Sequence, residues 1–184
     1  MDELIDIVDA NGNPTGKTAL KSVIHQKGYY HNTCHVWYYT KSGSILLAQR
    51  SAKKAICPLM WDVSVAGHID AGETAEQATI RETKEEIGLS ITSNELFKIG
   101  VFKCFSNYKN GLIDNEFHIT FIAQINTPIN KLTPQIDEVD ALKYVSINEF
   151  QKLIDTIGNN NNHFAPSNKT YYQTVLTKIS QKLA

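Results

Sequence analysis

Gly67-His-Ile-Asp-Ala-Gly-Glu73, followed after seven intervening residues by Arg81-Glu82-Thr-Lys-Glu85-Glu86-Ile-Gly88-Leu89, is the stretch on which the reading of this chain turns. A helix over Thr74 to Ile87, entered through Asp70-Ala-Gly-Glu-Thr74, would be stopped by Gly88. At about 100° per residue, Glu82, Glu85 and Glu86 fall within one arc of about 100°. Ala75 and Ala78 share that side, and Ile80 and Ile87 lie opposite. Small alanines let other protein approach the carboxylates closely. Like charges at i,i+4 destabilise a helix, so Glu82 and Glu86 need a cation. Three converging carboxylates suit a hard divalent ion, and the Gly67–Gly72 loop can add backbone carbonyls. Glutamates alone would read more simply as a solvated face with an Arg81–Glu85 pair worth a few tenths of a kcal/mol.

Outward from this stretch, short apolar runs alternate with turn signals. Leu4 to Val8 alternates apolar and acidic residues as a half-buried strand does, and Ala10 to Gly16 reads as a turn. Val36–Thr40 and Ile45–Gln49 flank Lys41-Ser-Gly-Ser44 as a hairpin, and Trp61–Ile69 reads as a further strand. Leu96–Phe105, Phe117–Ile125 and Ala141–Ser146 complete the strands. Ser146-Ile-Asn-Glu149 resembles a capping box that opens a helix to about Ile157. Gly158–Asn162 reads as a solvated, mobile loop, and Pro166–Leu183 as a last helix. The class is α+β, with helices packed against a mixed sheet.

The chain has 184 residues, enough for one domain spanning 1–184 at roughly 150 residues per domain. A net charge of -1 gives no basic footprint for nucleic acid or an anionic membrane. No apolar run approaches the roughly 18 residues of a membrane span, and the acidic N-terminus is unlike a secretory signal. Cys34, Cys57 and Cys104 cannot all pair and read as reduced thiols, so a cytoplasmic protein is expected. A homodimer is a reasonable expectation for a small enzyme.

The quoted stretch matches the Nudix box, G-x5-E-x7-R-E-U-x-E-E-x-G-U with U apolar. Gly67, Glu73, Arg81, Glu82, Glu85, Glu86 and Gly88 fill its fixed positions and Leu89 its last U; Thr83 departs at the first U. The resemblance implies a Nudix fold, a mixed β-sheet sandwiched between α-helices, with the box at 67–89. It also implies Mg²⁺ (or Mn²⁺) on Glu82, Glu85 and Glu86, and hydrolysis of a diphosphate bond in a small-molecule substrate. Arg81 joins the expected substrate-binding residues.

Outside the box the chain is similar to type 1 isopentenyl-diphosphate isomerases and to hydrolases close to them, through His25, His31, Arg50, Lys54, Trp61 to His68, and Asp114-Asn-Glu116. That resemblance implies a second divalent metal on His25, His31, His68, Asp114 and Glu116, and a diphosphate held by Lys21, Arg50 and Lys54. Three imidazoles and two carboxylates suit a transition metal. Glu116 joins the box glutamates as a candidate catalytic group, whereas His35, His118 and His163 read as surface or core histidines. Trp37, Tyr38, Tyr39, Phe102 and Phe105 are candidates for specificity, although strand aromatics more often belong to the core.

Two departures weigh against isomerisation. The isomerases' essential cysteine precedes the Gly-His pair, where this chain has Ala66, and a methyl group cannot move a proton. The box that isomerases degrade is intact here. The sequence therefore favours a Mg²⁺-dependent hydrolase of a small organic or nucleoside diphosphate, a prenyl diphosphate among them. Isomerase-like activity and a non-catalytic metabolite sensor are the alternatives.

Overall fold

The computed structural model describes residues 2–159, 162–164 and 169–184. Strand β3 (Tyr30–Tyr39) organises them. One of its edges pairs in parallel with β8 (Ile113–Gln124) along its whole length. The other edge is shared end to end: β1 (Leu4–Val8) meets it at His31, β6 (Val65–His68) at residues 33–36, and β4 (Ser44–Arg50) at Tyr39. Beyond these lie β2 (Pro14–Leu20) on β1, β5 (Trp61–Asp62) and β9 (Val139–Ser146) on β4, and β7 (Phe97–Asn107) on β8. The result is one mixed sheet of nine strands.

Alternation along β3 explains how the sheet acquires two apolar faces. Val36 and Tyr38 pack with Leu46, Val65 and Phe121 beneath α2 (Ala75–Ile87), whose Ile87 joins them. Trp37 and Tyr39 point the other way, into a cluster with Phe150 and Ile154 of α3 (Ile147–Asp155) and Tyr172, Val175 and Ile179 of α4 (Lys169–Leu183). Helices thus cover both faces, as the α+β reading expects. Among the described residues no helix is long and apolar enough to cross a membrane.

The main helix agrees closely with expectation. Thr74 and Gln77 form a reciprocal capping box at the start of α2, and Gly88 closes it in the left-handed conformation. The Ser146–Glu149 box opens α3 in the same way. Other elements differ. The strand expected over Trp61–Ile69 is divided between β5 and β6. Pro14 and Gly16, read within a turn, already belong to β2, an exposed edge strand with no apolar alternation to betray it. Helix α1 (Lys21–Lys27) is not evident in the sequence: it has one buried residue, Ile24, and no side-chain N-cap bond. Of the last two segments, residues 160–161 and 166–168 lie outside the described residues, and α4 is described from Lys169.

Candidate active site

Strand parity builds the site. His31, Thr33 and His35 follow at two-residue spacing on one face of β3, and Asp114, Glu116 and His118 do so on β8. The parallel register sets His31 against Glu116 and Thr33 against His118. On the other side, β6 sets His68 against Thr33 and Ala66 against His35. Helix α1 brings His25 over this surface. Its C-cap, Gly28, has φ +66°, and a Cβ there would press on Ile113 of β8, so helix and strand approach closely.

His25, His31, His68 and Glu116 each offer a ligand atom, all within 4.8 Å of one another. The outer nitrogens are committed elsewhere: His25 Nδ1 lies 2.8 Å from Asp114 Oδ1, and His31 Nδ1 lies 3.0 Å from the Tyr29 carbonyl. Both bonds leave the Nε2 lone pairs facing inward, the tautomer that metal-bound histidines adopt. His25 Nε2 and His68 Nε2 stand 3.0 Å apart, and His31 Nε2 is buried without a hydrogen-bond partner. An orphaned imidazole nitrogen among three other converging donors fits a divalent transition-type ion. Asp114, expected as a ligand, instead orients His25. That contact and the Asp114 charge outweigh burial and raise the His25 pKa, whereas burial lowers that of His68. Glu116 also meets His118 Nε2 at 2.8 Å, so His118 is part of the site and no ordinary core histidine.

The box carboxylates reach the same space around β6. Gly67 faces α2, and a Cβ on it would overlap the Glu82 side chain. Close approach, rather than backbone freedom, is what this glycine supplies. Glu86 is buried, and burial, aided by the neighbouring Glu82 charge, pushes its pKa up to about 8. Burial also raises Glu82. Such carboxylates favour a nearby cation.

Arg81 supplies part of that positive charge to Glu82, and its contacts differ from the substrate contact expected of it. Its Nε donates to Glu73 Oε1 (3.2 Å), Nη1 to Glu82 Oε1 (2.7 Å) and Glu85 Oε2 (3.3 Å), and Nη2 to Glu73 Oε2 (2.9 Å) and the His68 carbonyl (3.0 Å). A guanidinium has five N–H donors, so none remains for substrate. Hydrogen bonds to Glu73, followed by the Glu82 charge, raise its pKa further. Thr83, the box's departure, is buried with its hydroxyl 3.0 Å from Tyr38 Oη, a polar partner that makes the substitution tolerable.

A cavity of about 550 Å³ joins these groups. Glu82, Glu85, Glu86, His25, His68 and Glu116 line it, as do Lys21, Arg50 and Lys54. Each of those cations has a protein partner: Lys21 pairs with Glu3 at 2.9 Å, Arg50 donates to the Ile56 carbonyl at 2.9 and 3.1 Å, and Lys54 pairs with Glu138. Ala66 stands on the cavity wall. The aromatic candidates fare differently: Trp37, Tyr38 and Tyr39 are buried in the core, and Tyr108, Tyr171 and Tyr172 line the cavity instead. Glu3 and Glu138 carry no sequence motif. His118 did carry one, its two-residue spacing from Glu116.

A mixed sheet between helices, with the box carboxylates turned into a cavity beside it, defines the Nudix class. The NUDIX domain family model matches residues 29–167, and the chain belongs to the Nudix family of hydrolases. An uncharacterized Nudix hydrolase of Clostridium acetobutylicum is 38% identical over 158 residues, covering 84% of this chain and 75% of that protein. An isopentenyl-diphosphate Delta-isomerase of Corynebacterium diphtheriae is 32% identical over 171 residues, covering 89% and 85%. Nudix hydrolase 3 of Arabidopsis thaliana is 35% identical over 158 residues, but that match spans only 20% of the plant protein. The crystal structure of DR0079 from Deinococcus radiodurans shares the fold with a TM-score of 0.68 at 17% identity, covering 97% of this chain and 98% of that one.

Proposed function

We propose that the protein hydrolyses the diphosphate bond of a small organic diphosphate. In this reading Mg²⁺ or Mn²⁺ is held by Glu82, Glu85 and Glu86, and a second divalent ion by His25, His31, His68 and Glu116. The observation that carries it is the common cavity, which Glu82, Glu85, Glu86, His25, His68 and Glu116 line together with the cations Lys21, Arg50 and Lys54. When bound, the metal ions neutralise the diphosphate and acidify the attacking water. The cations exchange Glu3, the Ile56 carbonyl and Glu138 for phosphate oxygens, a charge-assisted contact that is stronger with a dianion than with a neutral carbonyl. Arg81 holds Glu82 and Glu85 in register with Glu73 and the β6 backbone, and Asp114 and Tyr29 hold two imidazoles in their ligating tautomer.

Relatives named for isomerase activity make isomerisation the competing reading. It needs a proton-moving group where Ala66 presents a methyl. Phosphorus and proton NMR of the protein with Mg²⁺ and isopentenyl diphosphate in ¹⁸O-water decides between them. New monophosphate signals with ¹⁸O shifts are expected. A moved alkene signal with the diphosphate intact would reverse the assignment.

A further inference from the structure

Three of the four cluster ligands are held from outside by a partner at hydrogen-bond distance. Asp114 meets His25 Nδ1 at 2.8 Å, the Tyr29 carbonyl meets His31 Nδ1 at 3.0 Å, and His118 meets Glu116 at 2.8 Å. His68 is the exception. The carboxylate beside its Nδ1, Glu3 Oε2, stands 3.9 Å away, beyond hydrogen-bond range. A metal ion on His68 Nε2 requires the imidazole proton on Nδ1, and such outer N–H groups are ordinarily fixed by a carboxylate or carbonyl.

Lys21 accounts for the gap. Its ammonium, which can only donate, pairs with the same Glu3 Oε2 at 2.9 Å. The backbone fixes where Glu3 sits: Lys21 N donates to the Glu3 carbonyl at 2.8 Å, and Ala71 N to the Leu4 carbonyl at 2.8 Å. The residue is thereby tied between the start of α1 and the loop that follows His68. Closing the 3.9 Å gap to an N–H···O length of about 2.9 Å takes a shift of about 1 Å. The side chains of Lys21 and Glu3 are 36% and 38% exposed and both line the cavity with His68, so an anion in the cavity can reach the ammonium. Phosphate oxygens on Lys21 repel the carboxylate and push it in the direction of His68.

We propose that Glu3 is a positioning residue that couples diphosphate binding to the metal cluster: phosphate oxygens take Lys21, and the released carboxylate accepts from His68 Nδ1–H and completes the outer support of the ligands. Substrate therefore tightens the metal ion in its site, and by linkage the metal ion tightens the diphosphate by the same factor. The proposal rests on the diphosphate-hydrolase reading and adds to it a regulated metal affinity.

Co²⁺ titrations of the full chain, followed by the visible absorption of imidazole-bound cobalt, test this without turnover; excess Mg²⁺ occupies the box carboxylates. Lys21→Met frees Glu3 with no phosphate present and should tighten the Co²⁺ Kd by about tenfold or more. Loss of a nearby cation favours any metal ion, so the substitution is repeated in a Glu3→Ala background. Only that general effect remains there, and the change in Kd should be much smaller. Sulfate, a weak ligand for Co²⁺, should tighten the wild-type Kd at constant ionic strength and leave Glu3→Ala unmoved. Equal tightening in both backgrounds, no tightening in Lys21→Met, or no wild-type response to sulfate would each overturn the proposal. Phosphate release from isopentenyl diphosphate with Mg²⁺, followed separately, keeps the two questions apart. Hydrolysis with no Glu3-dependent change in Kd sinks the coupling and leaves the hydrolase, and coupling without hydrolysis does the reverse.

Discussion

Arg81 and Glu86 show how differently two residues of one motif contribute. Arg81 has every donor committed to Glu73, Glu82, Glu85 and the His68 carbonyl, so it acts by position. Lysine cannot reproduce that fork. Arg81→Lys should lower stability by about 1–3 kcal/mol in urea titrations and reduce kcat, with KM nearly unchanged because no substrate contact is lost. Glu86→Gln removes charge and keeps shape. A fall of about 100-fold or more in kcat is expected. Tm should hold at neutral pH and rise only above about pH 8, where Glu86 would otherwise carry a buried charge beside Glu82. The motif revealed that both residues matter; their opposite roles depended on which atoms Arg81 reaches across the loop, and spacing along a helix carries no such information. The same holds for Asp114, legible as a site residue yet one hydrogen bond removed from the ligand cluster.

At the scale of elements, legibility followed burial. Helix α2 is entered at Thr74 and stopped by Gly88, and its sequence announces both ends. Helix α1 has a single buried residue, and β2 is almost wholly exposed, so neither carries an apolar period. That obscurity had a functional cost, because α1 carries Lys21 and His25. Strand parity was the unused signal: Glu116 and His118 two apart must share a face, as must His31, Thr33 and His35. Helix α3 offers a clean test of capping. Ser146 Oγ accepts from Glu149 N at 3.2 Å, far from the cavity. Ser146→Ala should cost about 1 kcal/mol of unfolding free energy and leave kcat/KM unchanged. Loss of activity at full stability would contradict the separation of α3 from the site.

At the scale of the whole molecule, the sheet face beneath α2 makes the protein sensitive to alkali. Burial pushes the Cys34 thiol up to about 12 and raises Tyr38 as well. Both groups are neutral when folded and ionise more readily when unfolded. The sign follows: stability is full below the ordinary thiol pKa of 9.0 and falls as pH rises from there toward 12. Each such group contributes a slope of up to about 1.4 kcal/mol per pH unit. Urea midpoints at a series of pH values above 8 should show this decline, and Cys34→Ala should flatten part of it. A midpoint independent of pH over that range would mean Cys34 is not closed off from water in the folded state.

The parallel β3–β8 ladder also governs how the chain acquires its shape. Tyr30 pairs with Asn115 and Tyr39 with Gln124, so the central strand waits for partners made much later in synthesis. Long loops must close before those contacts form, which gives the topology a high contact order and slow folding. A fragment ending at Leu112 lacks β8 and leaves the β3 edge open along its whole length. It should stay unfolded or aggregate through that edge, as judged by circular dichroism and light scattering. Strand β3 thus waits for β8, and the nascent chain holds His25, His31 and His68 without their fourth neighbour until Glu116 has emerged from the ribosome.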